Sequence, residues 1–397
     1  MIESNVASYN KSFPTKFIKA KGSFLYDEKN KEYLDFFTGA GTINYGHNNE
    51  FINKSMIEYL QKDGILHSLD MDTEAKIKFL NSLDEFILKP RNLDYKVQFC
   101  APSGANSVEA ALKLARKLTK RRKIIAFSGS FHGMSLGALS VTANKYYKNP
   151  YFPTSEVQFL PYENYMEELN SLEYLKKVLS DNVSGIELPA AIILETIQAD
   201  GGVNVASNKF LQGIREICDE FNILMIVDDV QVGNGRSGNF FSFERAGIVP
   251  DMVTLSKAIG GGMPLSILLF KSELDKWKKG EHTGTFRGNN LSFVAGEVVL
   301  KKYWNDNSFA KEIKQKSKIM EQFLRENFEN IRGHGMIWGI EVNAKKALKV
   351  REKCFNNGLI LELVGNNDNV IKLLPPLTIS KEELIKGLEI LKKAINE

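Results

Sequence analysis

The sequence is poor in cysteine and histidine. It has three cysteines, Cys100, Cys218 and Cys354, and five histidines in 397 residues. An odd number of widely spaced cysteines argues against a disulfide framework and favours a reducing compartment. No two cysteines and no pair of histidines have the spacing of metal ligands. We therefore expect free thiols and no metal site.

Long apolar runs and an excess of one charge are also missing. No run is long enough to span a bilayer, and the N-terminus has no basic-then-apolar signal pattern. The formal net charge is only +4, so bulk charge favours neither nucleic acid nor an acidic membrane surface as a partner. Hydrophobic residues make up 43% of the chain, as in ordinary globular proteins. The sequence predicts a cytoplasmic protein with a large core.

The sequence does contain short apolar runs that alternate with helical patterns. The runs are 96–100, 124–127, 190–194, 223–227, 252–255 and 265–270. Such near-continuous apolar strands predict an α/β fold with a mainly parallel sheet covered on both faces. Apolar periodicity predicts helices over 109–118, over 207–221 and from about 290 to 330. Functional groups are then expected at the carboxyl ends of the strands.

Two of these runs end at an acid and at a lysine. The run at 223–227 leads to Asp228, and the run at 252–255 leads to Lys257. A lysine that binds an aldehyde covalently and a buried carboxylate that keeps a ring nitrogen protonated are what a pyridine-aldehyde cofactor needs. A lone lysine after a strand is usually a solvated side chain without a catalytic role. Whether Lys257 has such a role therefore depends on the surrounding motifs.

The turn after the acid has a second interpretation. Gly233–Gly238 also spells G-x-G-x-x-G, with Asp251 18 positions after the first glycine, like a dinucleotide-binding fingerprint. That fingerprint should open a helix directly after its strand. Here the aromatic-rich NFFSFERAG and then Pro250 do not continue as an amphipathic helix, so the dinucleotide interpretation is disfavoured.

A predicted phosphate site lies where the run at 96–100 meets the helix at 109–118. Ser103, Gly104 and Ala105 form a turn between them. A strand, a glycine turn and a helix N-terminus leave backbone N–H groups free to face an anion, and the helix dipole favours its charge. The same pattern also occurs as a plain helix cap.

The residues around the acid and the lysine resemble the class III pyridoxal-phosphate aminotransferases. The family patterns D-[DE]-x-Q-x-G-x-G-R-[ST]-G and S-K-x-[IL]-G-G-G-x-P-[LM] match residues 228–238 and 256–265. The resemblance implies a fold-type I α/β protein that binds pyridoxal 5'-phosphate. It also implies that Lys257 is the Schiff-base lysine, Asp228 the partner of the ring nitrogen and Gln231 the donor to the ring's 3-hydroxyl oxygen.

Further motifs extend the resemblance from about residue 13 to residue 390. By this resemblance, Phe131 would stack on the cofactor ring with His132 behind it, and Glu195 would hydrogen-bond near the ring's oxygen side. Thr285 lies in the family pattern H-x-x-T-[FY]-x-G-N-P. It would reach the phosphate of the neighbouring subunit, which implies a homodimer or higher oligomer with shared active sites.

Three of the departures from the family pattern concern residues expected to bind the phosphate or the substrate. Ala105 stands where the family has a hydroxyl residue after Gly104, so the phosphate should be bound with one hydrogen bond fewer. Asp200 replaces the usual Glu, and Lys372 replaces the carboxylate-binding Arg of many members. Lys is a point donor without the bidentate fork of Arg. We hypothesise that Asp200 and Lys372 compensate each other as substrate-binding residues.

The resemblance also implies a division into two domains. Residues 51–295 would form a large cofactor-binding domain. Residues 1–50 and 296–397, the two ends of the chain, would together form a small domain.

Within the family, residues 35–49, 90–99 and 280–290 are most similar to the branch that acts on L-2,4-diaminobutyrate in ectoine-type biosynthesis. This implies a ping-pong transamination that passes the terminal amino group to 2-oxoglutarate and yields L-aspartate 4-semialdehyde and L-glutamate. A small-molecule amine and a 2-oxo acid are therefore the expected partners. An aminotransferase for ornithine, 4-aminobutyrate or another ω-amine stays open, as do an aminomutase or racemase and a non-catalytic binding protein of the same fold.

Overall fold

The computed structural model describes residues 2–154 and 156–397. The strands are, in chain order, β1 Phe17–Lys21, β2 Phe24–Asp27, β3 Glu32–Asp35, β4 Tyr95–Cys100, β5 Ile124–Phe127, β6 Val157–Leu160, β7 Ala191–Leu194, β8 Ile197–Gln198, β9 Asn204–Val205, β10 Leu224–Asp228, β11 Met252–Leu255, β12 Ser266–Lys271, β13 Ile331–His334, β14 Ile337–Glu341, β15 Leu359–Ile360, β16 Glu362–Val364 and β17 Val370–Leu373.

The helices connect and cover these strands. They are α1 Tyr9–Ser12, α2 Thr38–Gly41, α3 Glu50–Gln61, α4 Glu74–Leu83, α5 Gly104–Thr119, α6 Leu136–Val141, α7 Ser171–Ser180, α8 Asn208–Glu220, α9 Asn290–Tyr303, α10 Ser308–Asn327, α11 Ala344–Asn356 and α12 Lys381–Asn396. Within the described ranges, no helix is both long and apolar enough to cross a membrane.

The central element is a seven-stranded sheet in the order β4-β12-β11-β10-β7-β5-β6. Strand β12 is antiparallel to both of its neighbours, and the pairs among β11, β10, β7, β5 and β6 are parallel. The prediction of an α/β protein with a mainly parallel sheet is confirmed. The carboxyl ends of β4, β5, β7, β10 and β11 therefore lie at one edge of the sheet, where such folds bind ligands.

Two smaller sheets come from the ends of the chain. Their orders are β1-β2-β3-β15 and β13-β14-β17-β16. In the first of them β15, from the C-terminal part, pairs in parallel with β3. This sheet therefore contains strands from both ends of the chain. The domain boundaries at residues 50 and 295 remain predictions, and α9 runs through residue 295.

The predicted strands and helices are largely present, with one clear error. The single helix predicted from about 290 to 330 is wrong, because α9 ends at Tyr303 and α10 begins at Ser308. Between them the Asp306 side chain accepts a hydrogen bond from the Ser308 N–H at 2.7 Å. Short polar side chains that bond to nearby backbone compete with helix in this way.

Candidate active site

Neighbouring parallel strands bring the predicted acid and lysine together. Asp228 is the last residue of β10 and lies beside Thr254 of the parallel strand β11. Lys257 follows two residues after the end of β11, and Glu195 comes directly after β7. Because β7, β10 and β11 are adjacent and parallel, all three side chains belong to the same edge of the sheet.

Asp228 is buried and firmly oriented. Its Oδ1 accepts hydrogen bonds from the Thr254 hydroxyl at 3.0 Å and the Val230 N–H at 3.1 Å, and its Oδ2 lies 2.7 Å from His132 Nδ1. Nε2 of His132 is buried and lacks a hydrogen-bond partner in the described structure. These contacts fix the carboxylate so that it presents one orientation to a ligand at the strand end.

Lys257 has an unusual backbone. Its φ is +53°, in the left-handed region that non-glycine residues seldom adopt and that is often found at functional sites. Burial lowers the pKa of the Lys257 ammonium, while the carboxylate of Asp200 opposes this shift. The amine is therefore more readily neutral, and nucleophilic, than a solvated lysine.

Glu195 supports the predicted stacking residue through its backbone. The Glu195 carboxylate accepts hydrogen bonds from the Phe131 N–H at 3.0 Å and the Ala199 N–H at 3.3 Å. Burial, reinforced by the charge of Asp228, raises the pKa of the Glu195 carboxyl well above its ordinary value. The Phe131 ring is half-buried and packs edge-on against Tyr147, with ring centroids 5.9 Å apart.

The predicted phosphate turn forms the start of α5. Ser103 precedes the helix in an extended conformation, and its side chain makes no capping hydrogen bond. The first N–H groups of this 16-residue helix are therefore not capped by that side chain, as an anion site needs. A Cβ at Gly104 would lie 2.8 Å from Val230 Cγ1, so glycine lets this turn approach the turn after Asp228.

Gln231 and the two predicted substrate residues meet beside the lysine. Lys372, on β17, is fully buried. Its ammonium donates to Asp200 Oδ1 at 2.6 Å and to Gln231 Oε1 at 3.0 Å. The Gln231 amide oxygen is thus occupied, which leaves its NH₂ group as the donor on this side chain.

A second carboxylate joins this cluster. Glu362 Oε2, on β16, lies 2.9 Å from Lys372 Nζ. Burial opposes the charge on Lys372, but the carboxylates of Asp200 and Glu362 outweigh burial and raise the pKa of this ammonium. Burial likewise opposes the charge of Asp200, and Lys372 with Lys257 lowers the pKa of that carboxyl.

The N-terminal helix reaches the same cluster. Tyr9 of α1 donates a hydrogen bond from its hydroxyl to Glu362 Oε1, across 353 positions of sequence. Neither residue was predicted from the sequence. The only signal in the sequence was a charged residue, Glu362, inside the apolar run 359–364, since buried carboxylates are rare unless they have partners.

The second acid of the motif, Asp229, points elsewhere. It is fully buried and accepts hydrogen bonds from the Ser242 N–H at 2.9 Å and the Ser242 hydroxyl. Burial raises the pKa of Asp229 to about 7. Thr196 donates to the Ser242 hydroxyl at 2.6 Å. Asp229 therefore links the strand ends behind the site and does not face the lysine cluster.

Arg236 anchors the motif turn to the smaller sheets. Its buried guanidinium donates to the carbonyls of Met336 at 3.0 Å and Pro375 at 2.5 Å, and to Asn44 Oδ1 at 2.5 Å. Burial lowers the pKa of Arg236 to about 9. The Gly-rich segment that contains Asn44 also lies close to the site, because a Cβ at Gly41 would be 3.5 Å from Gln231 Cγ.

Thr285 lies apart from the lysine cluster, on the surface. It is exposed, and its carbonyl is 2.5 Å from His67 Nε2. A Cβ at the preceding Gly284 would touch Ala101 Cβ at 3.4 Å. The stretch therefore runs beside the phosphate turn and leaves the threonine side chain facing away from the core.

These features fit the predicted cofactor. The uncapped helix start and Gly104 suit a phosphate, Asp228 suits a protonated ring nitrogen, and Lys257 suits an aldehyde. No group of three or more His, Cys, Asp or Glu side chains in the described ranges is arranged to hold a metal ion. The roles of the individual residues remain predictions from the sequence.

Comparison with known proteins agrees with this geometry. The family model "Aminotransferase class-III" matches residues 6–395. The chain is 51% identical to a diaminobutyrate–2-oxoglutarate transaminase of Wolinella succinogenes, covering 100% of this chain and 95% of the relative. It is 52% identical to a protein of the same name from Halalkalibacterium halodurans, and the match covers 99% of this chain and 95% of the relative.

Solved structures share the fold at lower identity. An S-selective transaminase from Bacillus megaterium is similar with a TM-score of 0.89 at 22% identity, covering 100% of this chain and 95% of the other. An ornithine aminotransferase from Toxoplasma gondii, for which partial occupancy of PLP at the active site is described, is similar with a TM-score of 0.84 at 24% identity, covering 100% and 91%.

Proposed function

The chain belongs to the class-III aminotransferases, a PLP-dependent family, and from that premise we propose that it moves the terminal amino group of L-2,4-diaminobutyrate to 2-oxoglutarate. The products are L-aspartate 4-semialdehyde and L-glutamate, and the reaction is reversible and ping-pong. The observation that carries the choice of donor is the full-length similarity to diaminobutyrate transaminases. The geometry around Lys257 and Asp228 supports the reaction class.

In this proposal the chain holds pyridoxal 5'-phosphate with residues from several strand ends. The N–H groups at Gly104 and Ala105 bind the phosphate, and Phe131 stacks on the ring. Asp228 faces the ring nitrogen, and the Gln231 amide donates to the ring's 3-hydroxyl oxygen. When bound, the cofactor supplies an aldehyde that takes up the amino group and a ring that accepts electron density.

Lys257 is the proton carrier. Lys257 Nζ would hold the aldehyde of the cofactor until the donor amine takes its place. The neutral amine of Lys257 would then take a proton from the terminal carbon of the donor and carry it to the other side of the donor nitrogen. Its lowered pKa suits the task, because only a neutral amine accepts a proton and burial favours the neutral form.

Asp228 would face the ring nitrogen of the cofactor with its carboxylate. Three protein contacts orient this carboxylate, from Thr254, Val230 and His132. A fixed negative charge at hydrogen-bond distance favours the protonated ring nitrogen. The carboxylate is preorganised, so it does not need to reorient during the reaction.

The second substrate end is bound at Lys372. Each of the expected substrates carries a carboxylate remote from the reacting group. 2-Oxoglutarate has, in addition, a second carboxylate next to its reacting keto carbon. Lys372 is the buried cation of the cluster beside Lys257, and Asp200 holds it there at 2.6 Å. We assign the pair to this end of the pocket.

The working unit is a homodimer or a higher oligomer with shared sites. Thr285 is exposed beside Phe286, which is 66% exposed, and the nearby apolar side chains of Ile65, Leu66 and Met71 are exposed as well. A cluster of exposed apolar side chains marks an interaction surface. In the dimer Thr285 would reach the partner's cofactor phosphate.

Mixing two inactive variants tests the shared site. Lys257→Ala removes the proton carrier, and Thr285→Trp blocks the phosphate contact. In mixed dimers one site carries both lesions and the other carries neither, so partial activity should return. Mixed dimers that form and stay inactive, or a fully active monomer, would refute the shared site.

The three cysteines are buried free thiols, and this supports the predicted cytoplasmic location. Reduced thiols are the normal state in that compartment.

A panel of amines with 2-oxoglutarate tests the substrate. Glutamate should appear fastest with L-2,4-diaminobutyrate and more slowly with ornithine or 4-aminobutyrate. If either of these is used far better, the donor is wrong while the reaction class stands. Isomerisation of the amine without consumption of any 2-oxo acid would instead indicate an aminomutase or racemase.

A further inference from the structure

Glu362 is the second carboxylate that contacts the ammonium of Lys372, after Asp200. Lys372 forms its shortest contact with Asp200, at 2.6 Å, and also has Gln231 as a hydrogen-bond acceptor. Glu362 is 9% exposed and lies 2.9 Å away through Oε2. One buried ammonium therefore carries two carboxylates, and the three side chains together have a formal charge of −1.

The contact with Lys372 does not satisfy the hydrogen-bonding capacity of the Glu362 carboxylate. Oε2 is buried but has no aligned hydrogen-bond donor in the described part of the chain, so its contact with the ammonium is an ion pair without hydrogen-bond alignment. A buried oxygen in this state is costly unless something donates to it. Glu362 helps Asp200 to stabilise the charge of Lys372, but its Oε2 can still accept a hydrogen bond from a further donor.

Tyr9 holds Glu362 at the edge of the pocket. Its hydroxyl donates to Oε1, which orients the other oxygen. The charge of Glu362 acts on Lys257 and also on Tyr147, whose ring packs against Phe131. Glu362 therefore lies close enough to the lysine and to the aromatic side of the site for its charge to act on both.

We propose that Glu362 binds the α-ammonium group of the amino donor through Oε2 and so makes the site selective for diamino acids. This inference rests on the proposed function. L-2,4-diaminobutyrate carries an α-ammonium and a carboxylate at the end remote from the reacting amine. Glu362 takes the ammonium, Lys372 takes the carboxylate, and Tyr9 is a positioning residue for Glu362.

The chemistry of two donors separates this role from a structural one. 4-Aminobutyrate has the same chain length and the same carboxylate as L-2,4-diaminobutyrate but lacks the α-ammonium. A net negative charge in a poorly solvated pocket favours the donor with the additional cation. Any group that only supports Lys372 would affect both donors equally, because both have the carboxylate.

The test is the ratio of kcat/KM for L-2,4-diaminobutyrate to kcat/KM for 4-aminobutyrate in the holoenzyme. In Glu362→Gln we expect this ratio to fall about tenfold to a hundredfold, the effect of losing one hydrogen bond to a charged group. The fall should come from a raised KM for diaminobutyrate. Tyr9→Phe should lower the ratio less, and Glu362→Asp should retain part of it.

The control is Glu220→Gln, which removes an exposed carboxylate on α8 that pairs with Lys176 at 2.7 Å and should leave the ratio unchanged. Equal losses for both donors in Glu362→Gln, together with a raised KM for 2-oxoglutarate, would show that Glu362 only supports Lys372 and overturn the proposal. The donor preference of the wild-type enzyme tests the proposed function separately. A wild-type enzyme that does not favour diaminobutyrate overturns both.

Discussion

Replacing Lys372 by methionine should destabilise the protein by leaving two buried carboxylates without their cation. Methionine keeps most of the side-chain volume, so the change removes charge rather than packing. Asp200 and Glu362 then face each other with no partner between them, although they lie 2.6 and 2.9 Å from the ammonium in the wild type. Removing one member of a buried ion pair is more damaging than never having the pair.

The size of the effect follows from burial. Breaking a buried pair costs about 3–5 kcal/mol. The Lys372 side chain is fully buried, but the Asp200 side chain is 29% exposed, so water screens part of the unpaired charge and the lower end applies. For 397 residues that unfold as one cooperative unit, a loss of about 3 kcal/mol lowers the unfolding midpoint by roughly 4 °C.

The effect should also depend on pH. In the wild type the lowered pKa of Asp200 contributes stability that is present above the unfolded value of about 3.9 and is lost as pH falls through the folded value. In Lys372→Met, burial and the nearby charge of Glu362 raise the pKa of Asp200 instead. The difference in midpoint between wild type and variant should therefore be larger at pH 8 than at pH 5.

The assay is thermal unfolding of the holoenzyme at both pH values, with two controls. Lys176→Met removes the cation of an exposed pair with Glu220 and should change the free energy of unfolding by no more than about 1 kcal/mol. The triple variant Lys372→Met/Asp200→Asn/Glu362→Gln removes the unpaired charges and should recover most of the loss. A Lys372→Met protein as stable as the wild type at pH 8 would refute the reasoning.

Three further predictions concern the cofactor side of the site. Lys257→Ala should still bind the cofactor but lose turnover by several orders of magnitude in a glutamate-formation assay, and near-normal turnover would exclude Lys257 as the proton carrier. Asp228→Asn should keep the yellow colour of the bound cofactor yet slow proton abstraction strongly, and an unchanged rate would assign the ring nitrogen to another residue. Ala105→Ser restores a hydroxyl at the phosphate turn and should tighten cofactor binding about tenfold or more, as measured by titration of the apoprotein. Equal or weaker affinity would contradict the phosphate assignment.

Most strands of the central sheet could be predicted because they are apolar on both faces. Runs such as 124–127 and 252–255 coincide with β5 and β11, since a strand buried under helices on both sides shows no alternation. The edge strand β6, Val157–Leu160, alternates in burial and was not predicted. The break between α9 and α10 was missed because apolar periodicity continues on both sides of it.

The acid and the lysine could be predicted because each lies at the carboxyl end of a strand in the same mainly parallel sheet. Topology then places them together without any knowledge of side-chain packing. Only part of the cluster around Lys372 could be predicted from the sequence. Asp200 and Lys372 stood out as departures from a motif, whereas Tyr9 and Glu362 belong to no motif and meet across 353 positions. Contacts between elements that are distant in sequence depend on tertiary packing, which local patterns do not encode.

The fate of each nitrogen of the donor tests the central claim most directly. L-2,4-diaminobutyrate labelled with ¹⁵N at the terminal amine or at the α-amine is incubated with the purified enzyme and 2-oxoglutarate, and the glutamate formed is analysed by mass spectrometry. We predict that the terminal label appears in glutamate and that the α-label stays in L-aspartate 4-semialdehyde. Transfer of the α-label to glutamate, or no transfer of either label, would contradict a terminal-amine transaminase.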